Sequence, residues 1–112
     1  MAYETIKYEV KERICTITLN RPENMNSYNN IMAKEINLAL DAADNDDQVR
    51  AVIFTGAEGC KKPTFCAGFD LTGGKPFDFS AEDIHDTRDT GGTNALRLYA
   101  MKKPVIAAIN GS

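Results

Sequence analysis

Apolar and polar side chains alternate near the start of the chain. Every second residue from Ile6 to Val10 is apolar, and the residues between them are charged, which is the period of a strand with one buried face. A polar break at 11–13 is followed by the β-branched run 14–19. The pattern predicts that residues 3–20 form an antiparallel hairpin.

A second pattern has apolar residues at steps of three and four, and it predicts a helix beginning near Asn29, a good N-cap residue. The apolar face of this helix consists of Met32, Ile36, Ala39, Leu40 and Ala43. The acidic run at 44–47 would oppose the macrodipole if it lay at the helix C-terminus. We therefore expect this run to lie just past the end of the helix.

Two continuous apolar runs predict further strands. Residues 51–56 form a short run closed by glycine, which is typical of a strand buried on both faces. The run 105–109 predicts another buried strand.

A second helical region is predicted between these two strands. Residues 80–89 have the N-cap and acidic first turn of a helix, residues 90–93 predict a flexible break, and residues 94–101 continue or restart the helix. The order of elements therefore indicates an α/β protein.

The stretch 65–71 (FCAGFDL) leads from strand-like residues into a turn of small residues. Gly68 has no Cβ, so the backbone can bend tightly there and a ligand can approach closely. If a helical turn begins at about Phe69, its first N–H groups lack intrahelical partners and point at an anionic oxygen. The stretch is therefore either half of an oxyanion hole or only the corner of a loop.

Composition argues against several classes of function. The chain has 112 residues, 43% hydrophobic and 26% charged, with a net charge of −3 and no basic block. This composition is typical of one small globular domain and argues against nucleic acid as a partner. No apolar run is long enough to cross a membrane, and the N-terminus lacks the pattern of a signal peptide. We therefore expect a cytoplasmic protein without a membrane partner.

The three cysteines do not indicate a disulfide framework, because their number is odd and no secretion signal accompanies them. The spacing of Cys60 and Cys66, with His85 as the single histidine, fits no common zinc site. We therefore expect no bound metal. Cys15 and Cys66 are expected to be small buried side chains.

The sequence ends at Ser112, directly after a predicted strand and the start of a turn. The last two strands would then have uncovered edges and apolar faces. We therefore expect residues 1–112 to be the N-terminal part of a longer protein.

Four segments taken together resemble the enoyl-CoA hydratase/isomerase family, also called the crotonase superfamily. They are residues 18–23 (TLNRPE) followed by 26–27 (NS), residues 52–56 (VIFTG), the stretch 65–71, and residues 103–111 (KPVIAAING). Each segment alone is a weak signal. All four occur in the family's order and spacing, and the resemblance spans essentially the whole chain.

The resemblance implies an α/β fold, a crotonase-like spiral of ββα units. Residues 1–112 would be the N-terminal portion of a single such domain, truncated after the strand that ends near Ile109. Family members bind an acyl-coenzyme A thioester, need no separate cofactor, and usually form trimers that often pair into hexamers. The implied reaction is hydration of a 2-enoyl-CoA through a thioester enolate. Isomerase, hydrolase, dehalogenase and decarboxylase activities share the same N-terminal half, and a non-catalytic acyl-CoA-binding domain is the alternative of another class.

The resemblance also implies roles for particular residues. Phe69 would supply, through its backbone N–H, the first donor of the oxyanion hole. The residues expected to contact the acyl-CoA are Glu23, Asn24, Met25, Ser27, Ala67, Gly68, Phe69, Asp70 and Leu71. The second oxyanion donor and the acid/base carboxylates would lie beyond Ser112, so the 112-residue piece is expected to be inactive alone. Asp70 is expected to be structural, and Asp83 and His85 to be exposed on a helix.

Overall fold

The protein is described here by a computed structural model that covers residues 3–70 and 90–112. Its elements are β1 (Ile6–Lys11), β2 (Ile14–Leu19), α1 (Asn30–Asn45), β3 (Ala51–Gly56), α2 (Thr90–Tyr99) and β4 (Val105–Ala107), with a short 3₁₀ turn at Pro22–Asn24. The predicted helix at 80–89, with Asp83 and His85, lies outside the described residues, as does Leu71. The α/β class predicted from the order of elements is confirmed.

The described strands form one sheet in the order β1-β2-β3-β4. Strands β1 and β2 pair antiparallel with Lys11 opposite Ile14, which confirms the hairpin and leaves a two-residue turn. Glu12 and Arg13 form that turn with φ angles of 52° and 67°. Two positive φ angles are typical of a type I′ turn, which matches the twist of the strands but is normally built from Asn and Gly. The other neighbours, β2 with β3 and β3 with β4, are parallel.

Helix α1 packs across one face of this sheet and forms the core with it. Its predicted N-cap is confirmed, because the Asn29 side chain accepts a hydrogen bond from the Met32 N–H at 2.8 Å. The predicted apolar face is buried as well, and Met32, Ala39, Leu40 and Ala43 are fully enclosed. Cys15 lies in the same core, where burial raises the pKa of its thiol and favours the neutral form.

The C-terminal end of α1 differs from the prediction, since the helix runs through Asp44 and ends at Asn45. Asp44 lies in the last turn because cations from the far end of the chain offset its charge there. Arg97 donates to its carboxylate at 3.3 Å, and the Lys103 Nζ donates to the Ala43 and Asp46 carbonyls at 2.8 and 2.6 Å. These carbonyls are the helix-end acceptors that a cation satisfies well.

Three further predictions are wrong for the residues that the structure describes. Strand β3 is fully buried on one face only, because α1 covers that face and the other stays half-buried. Helix α2 begins at Thr90 and runs through the two glycines of the predicted break, since its packing against α1 outweighs their weak helix propensity. Strand β4 is three residues long, and Ile106 and Ile109 are 55% and 69% exposed rather than buried.

Candidate functional site

The stretch 65–71 meets the loop before α1 at a single parallel bridge between Tyr28 and Phe69. The Tyr28 N–H donates to the Gly68 carbonyl, and the Asp70 N–H donates to the Tyr28 carbonyl, both at 2.8 Å. In a parallel pair of this kind the two flanking residues make the hydrogen bonds, so the backbone groups of the central residue point the other way. The Phe69 N–H is therefore turned away from Tyr28.

This geometry leaves the Phe69 N–H open as a donor. Within residues 3–70 and 90–112, it makes no hydrogen bond. Phe69 lies in the bridge and not in the first turn of a helix, so the bridge exposes its N–H and not a helix end. A single unpaired N–H beside an exposed turn can bind an oxygen that carries negative charge.

Gly68 allows the chain to reach this bridge. Its φ angle is +103°, a conformation that other residues adopt only with strain. A Cβ added there would meet no atom within 4 Å, so the requirement for glycine comes from the backbone angle and not from crowding. Ala67 and Gly68 are both exposed, which leaves the outer side of the turn accessible to a ligand.

We call residues 21–28 and 65–70 together the loop pair. Asn26 anchors its first half: this fully buried side chain accepts from the Arg21 N–H and donates to the Ala57 and Thr64 carbonyls, each at 3.0 Å. Met25 and Asn26 both have positive φ angles, 57° and 53°. The Ala67 N–H donates to the Met25 carbonyl at 3.2 Å and joins the two halves.

Arg21 provides the second connection between the two halves of the loop pair. Its guanidinium donates through Nη1 to the Ser27 carbonyl at 2.9 Å and to the Ser27 Oγ at 3.0 Å. Through Nη2 it pairs with the Asp70 carboxylate at 2.9 Å, and both side chains are little exposed, at 13% and 12%. The Asp70 carboxylate is thereby tied to the first half of the loop pair.

The structure brings most of the expected ligand-contacting residues into the loop pair. Glu23 and Asn24 lie exposed in the 3₁₀ turn, Met25 follows it, and Ser27 is buried under Arg21. Sequence reasoning gave no role to Tyr28, Arg21 or Asn26, which hold the loop pair together. The available signal was the clustering of amide and hydroxyl side chains in residues 24–27, which is typical of backbone-bonding loops.

The end of the chain lies against the stretch 65–71. The Phe65 and Cys66 N–H groups donate to the Ser112 carbonyl at 2.7 and 3.1 Å. Gly111 allows this approach, because an added Cβ would lie 2.3 Å from backbone atoms of Pro63. The turn at 110–112 therefore runs beside the segment that leads to Gly68 and Phe69.

An apolar cavity of about 640 Å³ lies between the sheet, α1 and α2. Tyr28 lines it together with Phe65 and Cys66, and Cys66 is half-buried rather than enclosed as predicted. Phe69 is not among its lining residues, but its ring meets that of Tyr28 edge-on, with centroids 5.9 Å apart. The Tyr28 hydroxyl donates to the Asn94 side chain, which in turn donates to the Ala33 carbonyl on α1 at 3.0 Å.

Two other kinds of site are not found in the part of the chain that the structure describes. No group of three His, Cys, Asp or Glu side chains there is placed to hold a metal ion. Neither helix among residues 3–70 and 90–112 is long and apolar enough to cross a membrane.

Comparisons with known proteins place this site in context. A family model described as enoyl-CoA hydratase/isomerase matches residues 9–112. The chain is 36% identical to a probable enoyl-CoA hydratase of Rhodobacter capsulatus, over 100% of this chain and 40% of the relative. It is also 36% identical to the 1,2-epoxyphenylacetyl-CoA isomerase of Escherichia coli, over 96% of this chain and 40% of that protein.

A solved structure shows the same relation. The enoyl-CoA hydratase/isomerase from Xanthobacter autotrophicus Py2 superposes with a TM-score of 0.81 and 36% identity, over 98% of this chain and 40% of that one. The chain spans 40% of the length of the Rhodobacter capsulatus relative, 31% of an enoyl-CoA hydratase of Alternaria alternata and 41% of a crotonyl-CoA hydratase of Syntrophomonas wolfei.

Proposed function

Because this chain belongs to the enoyl-CoA hydratase/isomerase family, we propose that it forms the first half of an oxyanion hole for an acyl-CoA thioester. The donor is the backbone N–H of Phe69. The observation that supports this role is the Tyr28 bridge, which uses the Gly68 carbonyl and the Asp70 N–H and leaves the Phe69 N–H without a hydrogen bond among the described residues.

The chemistry of a thioester enolate suits such a donor. Removing a proton from the carbon beside the carbonyl, or adding a nucleophile to an enoyl thioester, moves negative charge onto the carbonyl oxygen. A fixed N–H aimed at that oxygen stabilises the transition state more than the neutral ground state. The loss of one such donor costs about 2.7–4 kcal/mol of barrier stabilisation in known enzymes.

We further propose that the coenzyme A portion lies along the loop pair. The contacting residues are Glu23, Asn24, Met25, Ser27, Ala67, Gly68, Phe69 and Asp70, with Leu71 outside the described residues. Most of these contacts use the backbone, because Ser27 and Asp70 already bond to Arg21. Coenzyme A is part of the substrate, and no other cofactor is proposed.

The reaction proposed for the whole protein is hydration of a 2-enoyl-CoA. The chain covers less than half of its relatives' length, and the second oxyanion donor and the acid/base carboxylates are proposed to come from the rest of the protein. The turn at 110–112 beside the stretch 65–71 suits this arrangement, since a donor that follows it would lie near Phe69. An isomerase, like the Escherichia coli relative, would need the same thioester site.

Assembly and location are part of the same proposal. We propose a homotrimer, or a hexamer of two trimers, in the cytoplasm. Light scattering of the purified whole protein measures the oligomeric state, and a monomeric mass would contradict the proposal. Fractionation of the cells that produce the protein tests the cytoplasmic location, and recovery in an organelle would contradict that location.

A pair of substitutions at Phe69 tests the proposed donor in the whole protein. Phe69→Pro removes the N–H, and we expect kcat for crotonyl-CoA hydration to fall by about 10²–10³-fold. Phe69→Ala keeps the N–H and is the matched control, so its kcat is expected to stay within about tenfold of the wild type. Equal losses in the two variants would show that the ring, and not the backbone, is the functional group.

A further inference from the structure

We propose that Arg21 is a positioning residue that fixes the direction of the Phe69 N–H. This inference rests on the proposed function, since it concerns the same donor. Arg21 lies 49 positions before Asp70 in the chain, yet its guanidinium contacts both halves of the loop pair. It acts through the backbone and has no contact with the reacting atoms in this proposal.

The contacts of Arg21 bracket the Tyr28–Phe69 bridge on both sides. Nη1 binds Ser27, the residue before Tyr28, and Nη2 binds Asp70, the residue after Phe69. The rigid fork of the guanidinium therefore ties together the two chain positions that set the register of this bridge. A shift of one strand past the other would stretch at least one of these bonds.

The guanidinium can act as a fixed reference because Arg21 is itself held at its backbone. Its N–H donates to the Asn26 Oδ1 at 3.0 Å, and its carbonyl accepts from the Asn24 and Asn26 N–H groups at 2.9 and 2.8 Å. Asn26 is 0% exposed and is bonded to the Ala57 and Thr64 carbonyls. Contacts of Asn26 thus connect the buried interior to the Arg21 backbone, and the Arg21 side chain spans the bridge.

The bridge is short, and Arg21 adds to the other contacts between the two halves of the loop pair, such as the edge-on contact of the Tyr28 and Phe69 rings. Tyr28 and Phe69 form an isolated bridge and not part of a longer ladder, and Gly68 beside them has little intrinsic rigidity. A donor displaced by about 1 Å can lower a rate by about a hundredfold. Lysine cannot replace Arg21 here, since one ammonium group does not reproduce the planar fork.

The test uses the whole protein with Arg21→Lys and, as the matched control, Arg50→Lys at an exposed arginine. The probe is butyryl-CoA labelled with ¹³C at the thioester carbonyl, whose chemical shift on binding reports polarisation of the carbonyl oxygen. Turnover of crotonyl-CoA is measured on the same samples. In Arg21→Lys we expect the bound shift to fall to less than about half of the wild-type value and kcat to fall about tenfold or more, while the Kd of butyryl-CoA stays within about threefold.

The outcomes separate this inference from the proposed function. If the wild type neither turns over crotonyl-CoA nor shifts the carbonyl resonance, the proposed function fails, and the role of Arg21 fails with it. If the wild type does both and Arg21→Lys retains both, only the role of Arg21 is overturned. It is also overturned if Kd and kcat worsen by the same factor, because that pattern indicates a general structural role.

A second variant decides the question if Arg21→Lys does not fold. Asp70→Asn keeps the side-chain volume and an acceptor oxygen but loses the charge, so Arg21 holds the bridge on one side only weakly. We expect it to reduce the carbonyl shift, as for Arg21→Lys. An unchanged carbonyl shift in a folded Asp70→Asn protein overturns the inference.

Discussion

Different forces hold together two regions of the molecule. One is the core between the sheet and α1, and the other is the loop pair around Tyr28 and Phe69. The core consists of enclosed aliphatic side chains such as Ile17, Leu40 and Val52, so apolar burial stabilises it. The loop pair is held by hydrogen bonds from Arg21 and Asn26 to fixed partners. Apolar packing accepts many shapes of similar volume, whereas the polar contacts require particular donors and acceptors.

The largest effect on stability is expected from the core. Leu40→Ala removes a fully buried side chain, and we expect the free energy of unfolding to fall by about 2–5 kcal/mol. Leu38→Ala, on the exposed side of the same helix, is the control and should change it by less than about 0.5 kcal/mol. Urea titrations followed by circular dichroism measure both. Similar losses would mean that the outer face of α1 is also packed.

An isosteric change of chemistry in the loop pair is expected to cost more stability than a change of side-chain shape in the core. Asn26→Asp keeps the shape but removes the two N–H donors that bind the Ala57 and Thr64 carbonyls. We expect a loss of about 3 kcal/mol, compared with less than about 1.5 kcal/mol for Leu40→Met in the core. Asn30→Asp is the exposed control. A smaller loss for Asn26→Asp than for Leu40→Met would contradict the comparison.

A smaller effect on stability, which depends on pH, is expected at the end of α1, where apolar packing and polar contacts meet. Burial alone would raise the pKa of Asp44, but hydrogen bonds from Arg97 and the Lys102 N–H outweigh it, so the pKa is lowered in the folded state. A lowered folded-state pKa means that the carboxylate stabilises the protein above its unfolded pKa of about 3.9 and that this stability is lost as the pH falls through the folded value.

Asp44→Asn tests this dependence. At neutral pH the variant is expected to be less stable than the wild type, and the difference should shrink as the pH falls below about 4. Thermal unfolding at several pH values measures it, with Asp47→Asn as the exposed control. A difference that stays constant down to the folded-state transition would show that the charge of Asp44 is irrelevant.

The smallest effect is expected at the hairpin turn and has the opposite sign. Glu12 and Arg13 have positive φ angles that Asn and Gly adopt more easily. We expect Glu12→Asn with Arg13→Gly to stabilise the protein by about 1 kcal/mol. Arg13→Ala removes the same side chain but keeps the Cβ, so it should bring no gain. Destabilisation by the Asn-Gly pair would mean that the two side chains matter more than the backbone.

The comparison also explains which parts of the fold could be predicted from sequence. The hairpin, the start and apolar face of α1, and the position of β3 follow from local hydrophobic periods, and the structure has them where they were predicted. The predictions that were wrong depended on distant residues. The end of α1 was misplaced because Arg97 and Lys103 arrive from the other end of the chain to bind it. No local sequence pattern predicts a contact between residues so far apart in the chain.

The candidate site shows the same division. Gly68 and Phe69 were singled out from the turn of small residues, and the family resemblance assigned the donor role to Phe69. The reason why the Phe69 N–H is open became visible only with the Tyr28 bridge. A register between two loops is not encoded in periodicity. The partners of Arg21 were likewise unpredictable, because the ion pair with Asp70 joins positions 49 apart.

The contacts at the end of α1 also have a consequence for the order in which the chain acquires its structure. Lys103 bonds to carbonyls 60 and 57 positions earlier in the chain, and a chain emerging from the ribosome presents its N-terminal part first. Helix α1 is therefore synthesised long before the cation that completes its last turn. We expect this turn to remain frayed on the nascent chain until residue 103 has left the ribosome, whereas the β1–β2 hairpin needs no later residue to close.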